Sequence, residues 1–111
     1  MTSSSNPGNA RLRVEAVDDE STARIIIRGE ADVANADSLK AALDSIVLNG
    51  AKTVELDVSD LTFADVAALR QLTAFAHHMK QDGRTVKTCG AQPTLMRMAL
   101  ALDVQGELGL P

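Results

Sequence analysis

The apolar residues of this chain repeat first with a period of two and then with a period near 3.6. That alternation restricts the fold more tightly than composition does. Arg11 to Val17 alternates, with Leu12, Val14 and Ala16 on one face and Arg11, Arg13 and Glu15 on the other, as a half-buried strand does. Asp18-Asp19-Glu20-Ser21 is a polar turn, and the Ile-rich run Thr22 to Arg28 forms a second strand near enough to pair as a hairpin. Gly29-Glu30-Ala31-Asp32 ends it. From Asn35 the period lengthens: Ala36, Leu39, Leu43, Ile46 and Val47 share one helical face, Asp37, Lys40 and Asp44 face away, and Asn49-Gly50 stops the helix. Thr53 to Val58 alternates again, with Val54, Leu56 and Val58 inward.

A second helix is predicted from about Asp65 to Gln81, with Ala68, Leu69, Leu72, Phe75, Ala76 and Met79 as its apolar stripe and Gly83 as its cap. Arg84 to Cys89 reads as a fourth strand. Pro93 suits the first turn of a third helix, where a missing N–H has no helical partner to lose. Leu95, Met98, Ala99 and Leu102 give that helix its inward face, and Val104 to Leu110 either adds a short edge strand or packs loosely. The order ββαβαβα predicts an α/β fold with a mixed sheet of four to five strands. Strands joined through helices run parallel, and their alternation places the helices mainly on one face.

A chain of 111 residues is the size of one domain, expected over residues 11–111. Residues 1–10, rich in Ser, Asn and Gly, read as a disordered leader without the basic and apolar regions of a signal peptide. The net charge of −4, with no Trp or Tyr and only Phe63 and Phe75, argues against a general nucleic-acid binder, which needs clustered Lys/Arg or aromatic platforms. No apolar run approaches the ~20 residues of a membrane span. Cys89 is the single cysteine, so no internal disulfide exists, which suits a reducing, cytoplasmic setting.

Residues 56–72, Leu-Asp-Val-Ser-Asp-Leu-Thr-Phe-Ala-Asp-Val-Ala-Ala-Leu-Arg-Gln-Leu, read as a strand, a short loop and the start of an amphipathic helix, with Asp65 at the junction. This stretch resembles the signature of the STAS family, the anti-sigma-factor antagonists and their relatives, which typically read Asp-Ser-Ser/Thr-Gly there. Gly29-Glu30-Ala31-Asp32 resembles the family's Gly-Glu-Leu-Asp, and Leu95 to Leu102 its closing helix. The resemblance covers nearly all of residues 11–110. It implies a non-enzymatic binding module with no catalytic residue and no cofactor. It also implies that Asp32 and Asp65 meet at the end of the sheet that docks onto a protein partner, typically an anti-sigma factor with a kinase-like ATPase fold. In the family a serine or threonine after the aspartate is the phosphorylation switch. Here Val66 and Ala67 stand at the hydroxyl positions, Ala67 aligning best with the phosphorylated residue, and Ala68 replaces the glycine. Asp32, Asp65, Val66, Ala67, Ala68 and Arg70 are the expected partner contacts, with Thr73 at the margin.

Other chemistry has weaker support. Asp57, Asp60 and Asp65 invite a Mg²⁺ or phosphoryl-acceptor reading, but loop solvation and helix capping account for them as well. His77 and His78, adjacent on a helix, point about 100° apart and cannot share one metal. Cys89 lacks a neighbouring His or second Cys and reads as structural. Met79, Met96 and Met98 fall at helical core spacing. If phosphorylation has moved, Thr62, in the loop before the helix, is better placed than Ser59 or Thr73. The expectation is therefore an anti-sigma-factor antagonist-like regulator of transcription that is not phosphorylatable at the usual site. The alternatives are a STAS scaffold or regulatory subunit of a transporter ATPase or stress-signalling assembly and, behind it, a phosphoryl-accepting or nucleotide-binding protein.

Overall fold

The alternating N-terminal runs pair as a hairpin because their apolar residues fall on the same face in register. The computed structural model describes residues 11–110, so the expected leader at 1–10 lies outside the described residues. Strand β1 (Leu12–Asp19) runs antiparallel to β2 (Thr22–Ala31), from Leu12 opposite Gly29 to Asp19 opposite Thr22. The first half of β2 pairs in parallel with β3 (Thr53–Asp57), which in turn pairs in parallel with β5 (Thr85–Cys89). The second half of β2 pairs in parallel with a short strand β4 (Leu61–Ala64), with a register shift between Gly29 and Glu30. The result is a mixed five-stranded sheet of order β1-β2-β3-β5, with β4 beside the end of β2.

Helices α1 (Ala36–Asp44), α2 (Val66–Gln81), α3 (Pro93–Ala101) and α4 (Gln105–Leu108) complete the chain. The sheet face carrying Val14, Ala23, Ile25, Ile27, Val54, Leu56 and Val86 is buried with Leu39 and Leu43 of α1 and Leu69, Leu72 and Phe75 of α2. Each such side chain contributes roughly 1.5–3 kcal/mol by leaving water. The opposite face carries charge. Arg24 bridges Glu55 at 3.3 Å and Asp57 at 3.2 Å, and Arg28 pairs with Glu15. The expected asymmetry is thus observed, and it follows from strands that alternate.

Several local expectations are corrected. Thr62 lies in strand β4, where a loop was expected, because β2 is twice the length of β3 and its overhang offers unpaired backbone. The tail is neither an edge strand nor loose: Gln105–Leu108 is a helical turn, and the Leu108 carbonyl accepts the Thr88 hydroxyl at 2.5 Å. Helix α1 ends at Asp44, before Asn49-Gly50, and Val47 is exposed. Ala16 and Leu102 are also exposed, although their spacing placed them inward. Ala16 lies on the edge strand β1 opposite Ile25; Leu102 is the C-cap of α3, where the helical period no longer sets direction. Pro93 opens α3 and Gly83, with φ +85°, follows the end of α2, as read from sequence.

Gly29 has φ +102°, and a Cβ there would lie 1.9 Å from the Arg11 carbonyl oxygen. Gly29→Ala is expected to destabilise the protein by about 2 kcal/mol or more in urea unfolding. Gly50→Ala, whose Cβ would meet nothing within 4 Å, should change stability by less than about 1 kcal/mol. Equal midpoints for the two variants would contradict this geometry.

Candidate docking site

Parallel strands deliver their C-terminal ends to one end of the sheet, and the two aspartates follow two of those ends. Asp65 succeeds β4 and Asp32 succeeds β2, and the Asp65 amide donates to the Ala31 carbonyl at 3.2 Å. Asp65 has extended backbone and is the N-cap of α2. Its Oδ1 accepts the Ala68 amide at 3.0 Å and its Oδ2 accepts the Val33 amide at 2.9 Å. A helix start leaves N–H groups without partners and carries partial positive charge, so a carboxylate is favourable there on both counts. One side chain therefore ties the β2–α1 loop to the first turn of α2.

Asp32 organises that loop from the other side. Its Oδ2 accepts from Arg11 at 2.6 Å, its Oδ1 accepts the Ala34 amide at 3.0 Å, and its own amide donates to Asn35 Oδ1 at 2.8 Å. The Arg11 hydrogen bond holds the Asp32 carboxyl below the ordinary carboxylate range, against a smaller opposing effect of desolvation. Asn35 is only 1% exposed, and its Nδ2 donates to the Glu30 carbonyl at 2.9 Å. Sequence reading passed over Asn35 as the place where the period changes; its burial and double bonding become visible only once the loop has closed.

The segments that carry these aspartates also expose apolar side chains beside the Arg11–Glu30 and Arg11–Asp32 ion pairs. Val33 is 76% exposed, Phe63 51% and Val66 40%. Sequence reading named Val66 and missed the other two. Phe63, one of two phenylalanines in an aromatic-poor chain, was the available signal for an exposed position. Ala67 is half-buried and Arg70 exposed beyond it, while Ala68 is fully buried under the helix and offers packing instead of contact surface.

The remaining candidates separate. Asp57 accepts the Ser59 hydroxyl at 2.6 Å and its amide at 3.1 Å; these bonds, with Arg24 and Arg28 adding to them, hold its carboxyl low. Asp60 lies 3.5 Å from Arg28, which also acts on Asp57, whereas Asp65 serves the helix start. Among the described residues no three His, Cys, Asp or Glu side chains group as a metal site would. The Thr62 hydroxyl is exposed and donates to the Gly29 carbonyl at 3.0 Å, and the half-buried Thr73 hydroxyl turns back to the Leu69 carbonyl at 2.8 Å. His77 faces Glu107 at 3.3 Å. Burial and the neighbouring Glu55 push the Cys89 thiol up. Among the described residues no helix is long and apolar enough to cross a membrane.

A family model described as "Mlab, STAS domain" matches residues 14–110. The chain belongs to the STAS family. No curated protein matches it. Among solved structures, this STAS chain is similar to an anti-sigma factor antagonist from Mycobacterium paratuberculosis at 19% identity and TM-score 0.75, covering 96% of this chain and 88% of that one. It is also similar to a sulfate transporter family protein from Wolinella succinogenes at 22% identity and TM-score 0.68, covering 84% and 75%. The phosphorylated form of the Bacillus cell fate determinant SpoIIAA matches at 18% identity and TM-score 0.61, covering 86% of each chain. At these identities the likeness is one of fold.

Asp65→Ala removes the cap and the tie to Val33, and is expected to lower stability by about 1–3 kcal/mol. Hydrogen exchange at the Ala68 and Val33 amides should accelerate more than elsewhere. Unchanged exchange at both amides would exclude the bridging role. For Asp57 the folded-state value is depressed. Its stabilisation is therefore full above the unfolded value of about 3.9 and is lost as pH falls through the lower folded value. Asp57→Asn should be less stable than the parent at pH 7, with the gap closing at acidic pH. A gap that persists at pH 2 would show that the charge is not its source.

Proposed function

We propose that the chain is a non-enzymatic protein-binding module, an anti-sigma-factor antagonist-like regulator of transcription acting in the cytoplasm. Its partner is an anti-sigma factor with a kinase-like ATPase fold. The partner docks on the β2–α1 loop and the N-terminal half of α2, over Asp32, Asp65, Val66, Ala67 and Arg70. The observation that carries this reading is the exposed Val33 and Val66 beside the helix start that Asp65 caps, with Phe63 exposed on the strand that leads into it. Apolar surface of this kind gains roughly 25 cal/mol per Å² when a partner covers it, and the exposed Arg70 adds a directional charge beside it. Two of the fold relatives above support the reading: an anti-sigma factor antagonist and a cell fate determinant in its phosphorylated form.

A phosphate at the start of α2 would add nearly two negative charges beside Asp32 and Asp65 and repel an apolar or acidic partner surface. Val66 and Ala67 carry no hydroxyl, so this module binds without that control, and the exposed Thr62 is the candidate for a relocated one. A second reading keeps the surface and changes the partner to a transporter ATPase. It draws on the likeness to the sulfate transporter family protein and to a SulP transporter STAS domain from Vibrio cholerae.

Ala67→Glu tests the surface. A glutamate in the first turn suits the helix dipole, so the helix should persist while charge is placed in the contact. Partner affinity is expected to fall about tenfold or more in a calorimetric titration. Unchanged affinity would remove this end of the sheet as the docking site. Affinity capture followed by mass spectrometry separates the two partners: recovery of a transporter-class ATPase in place of a kinase-like anti-sigma factor decides for the second reading.

A further inference from the structure

The descent from α3 into α4 leaves an open groove against α2 that begins beside Arg70 and extends away from the helix start. Its volume is about 340 Å³. On the α2 side it runs from Leu69 to His77, a length of about 12 Å at 1.5 Å per residue, or just over two helical turns. Its floor there is the fully buried Leu69, with Thr73 and Ala74 between the exposed Arg70 and His77. Ala74 leaves room, and Thr73 turns its hydroxyl back to its own helix, so that the groove meets its methyl group. The facing wall is Leu102, 41% exposed, and Val104. A pocket for a small polar ligand gathers several convergent donors and acceptors to orient it; this groove does not.

The charges on its rim are unequal. At the far end Glu107 is engaged by His77 at 3.3 Å and Lys80 at 3.8 Å, and Lys80 also donates to the Gly106 carbonyl at 2.9 Å. At the near end stands Arg70, exposed, and among the described residues no carboxylate lies within ion-pair distance of it. Although the chain is acidic overall, the unanswered charge of this groove is therefore positive.

We propose that the groove receives an amphipathic helical segment of a protein partner. Aliphatic side chains of that segment at i, i+3 or i+4, and i+7 lie along the Thr73 methyl group, Ala74, Leu102 and Val104, and an Asp or Glu at its near end meets Arg70. Length, open side and aliphatic lining match helix-in-groove recognition, and the single unpaired cation sets the direction of the segment. Arg70 belongs to both this groove and the surface proposed above, and Ala74, which lies outside that surface, distinguishes them.

The test uses the ¹⁵N-labelled protein and a synthetic helical peptide with Leu at i, i+3, i+4 and i+7 and Glu in its first turn on the same face. A counterpart peptide carries Lys in place of Glu. The expected result is saturable shift changes centred on Leu69, Thr73, Ala74, Leu102 and Val104, with the Glu peptide binding about five- to tenfold more tightly. Arg70→Glu should reverse that preference. Ala74→Arg, at an exposed helix position, should abolish binding while the spectrum stays dispersed. The proposal is overturned by absence of saturation at millimolar peptide, by shifts centred elsewhere, or by equal affinity for the two peptides. Groove shifts that appear with protein concentration alone would assign the face to a second copy and overturn it too. So would tighter binding of a medium-chain fatty acid at the same residues.

Discussion

One carboxylate joins two elements far apart in sequence, and the shape of this end of the sheet depends on it. Asp65 accepts the Ala68 amide with one oxygen and the Val33 amide with the other. The first bond starts α2 and the second holds the β2–α1 loop against that start. An aspartate suits this place because it has two acceptor oxygens, a short side chain and a charge that the helix start favours. Asp32 and the buried Asn35 then shape the loop from within, with Arg11 anchoring it to the hairpin. The exposed Val33, Phe63 and Val66 are brought to one end by these polar bonds and by the pairing of β4 with β2, not by any attraction among themselves.

In the reading proposed here, this arrangement separates contact from control. The features that shape the end of the sheet are backbone amides, two aspartates and strand pairing, none of which needs a hydroxyl at position 66 or 67. Replacing that hydroxyl with Val66 and Ala67 leaves the scaffold standing and enlarges the apolar surface beside it. The groove between α2 and the α3–α4 corner follows similar physics on a neighbouring face, where an aliphatic floor lies beside the unpaired charge of Arg70.

Much of the fold was legible because long periodic segments report their own burial. Helix α2 was read almost to the residue, since sixteen positions carry one apolar stripe between an aspartate cap and Gly83. Strand β4 was not legible: of Leu61, Thr62, Phe63 and Ala64 only Leu61 is buried, so no alternation marks it, and it exists because the longer β2 extends past β3. The tail was read as an edge strand or loose chain, and became a helical turn because the carbonyl of Leu108 meets the buried Thr88 hydroxyl. Val47 shows the opposite error, an apolar residue at helical spacing beyond the point where the helix stops.

The sequence alone determined the order of the elements, the one-sided sheet and the position of Asp65 at a helix start. Those properties are set by local periodicity and by capping chemistry that acts within a few residues. Tertiary structure decided what that aspartate also holds, since the Val33 amide lies thirty-two positions away. It also decided that Ala68 is buried while Val33 and Phe63 are not, and that Arg70 overlooks a groove walled by Leu102 and Val104. Exposure and long-range hydrogen bonding depend on which surfaces meet once the chain has closed, and no local pattern carries that information.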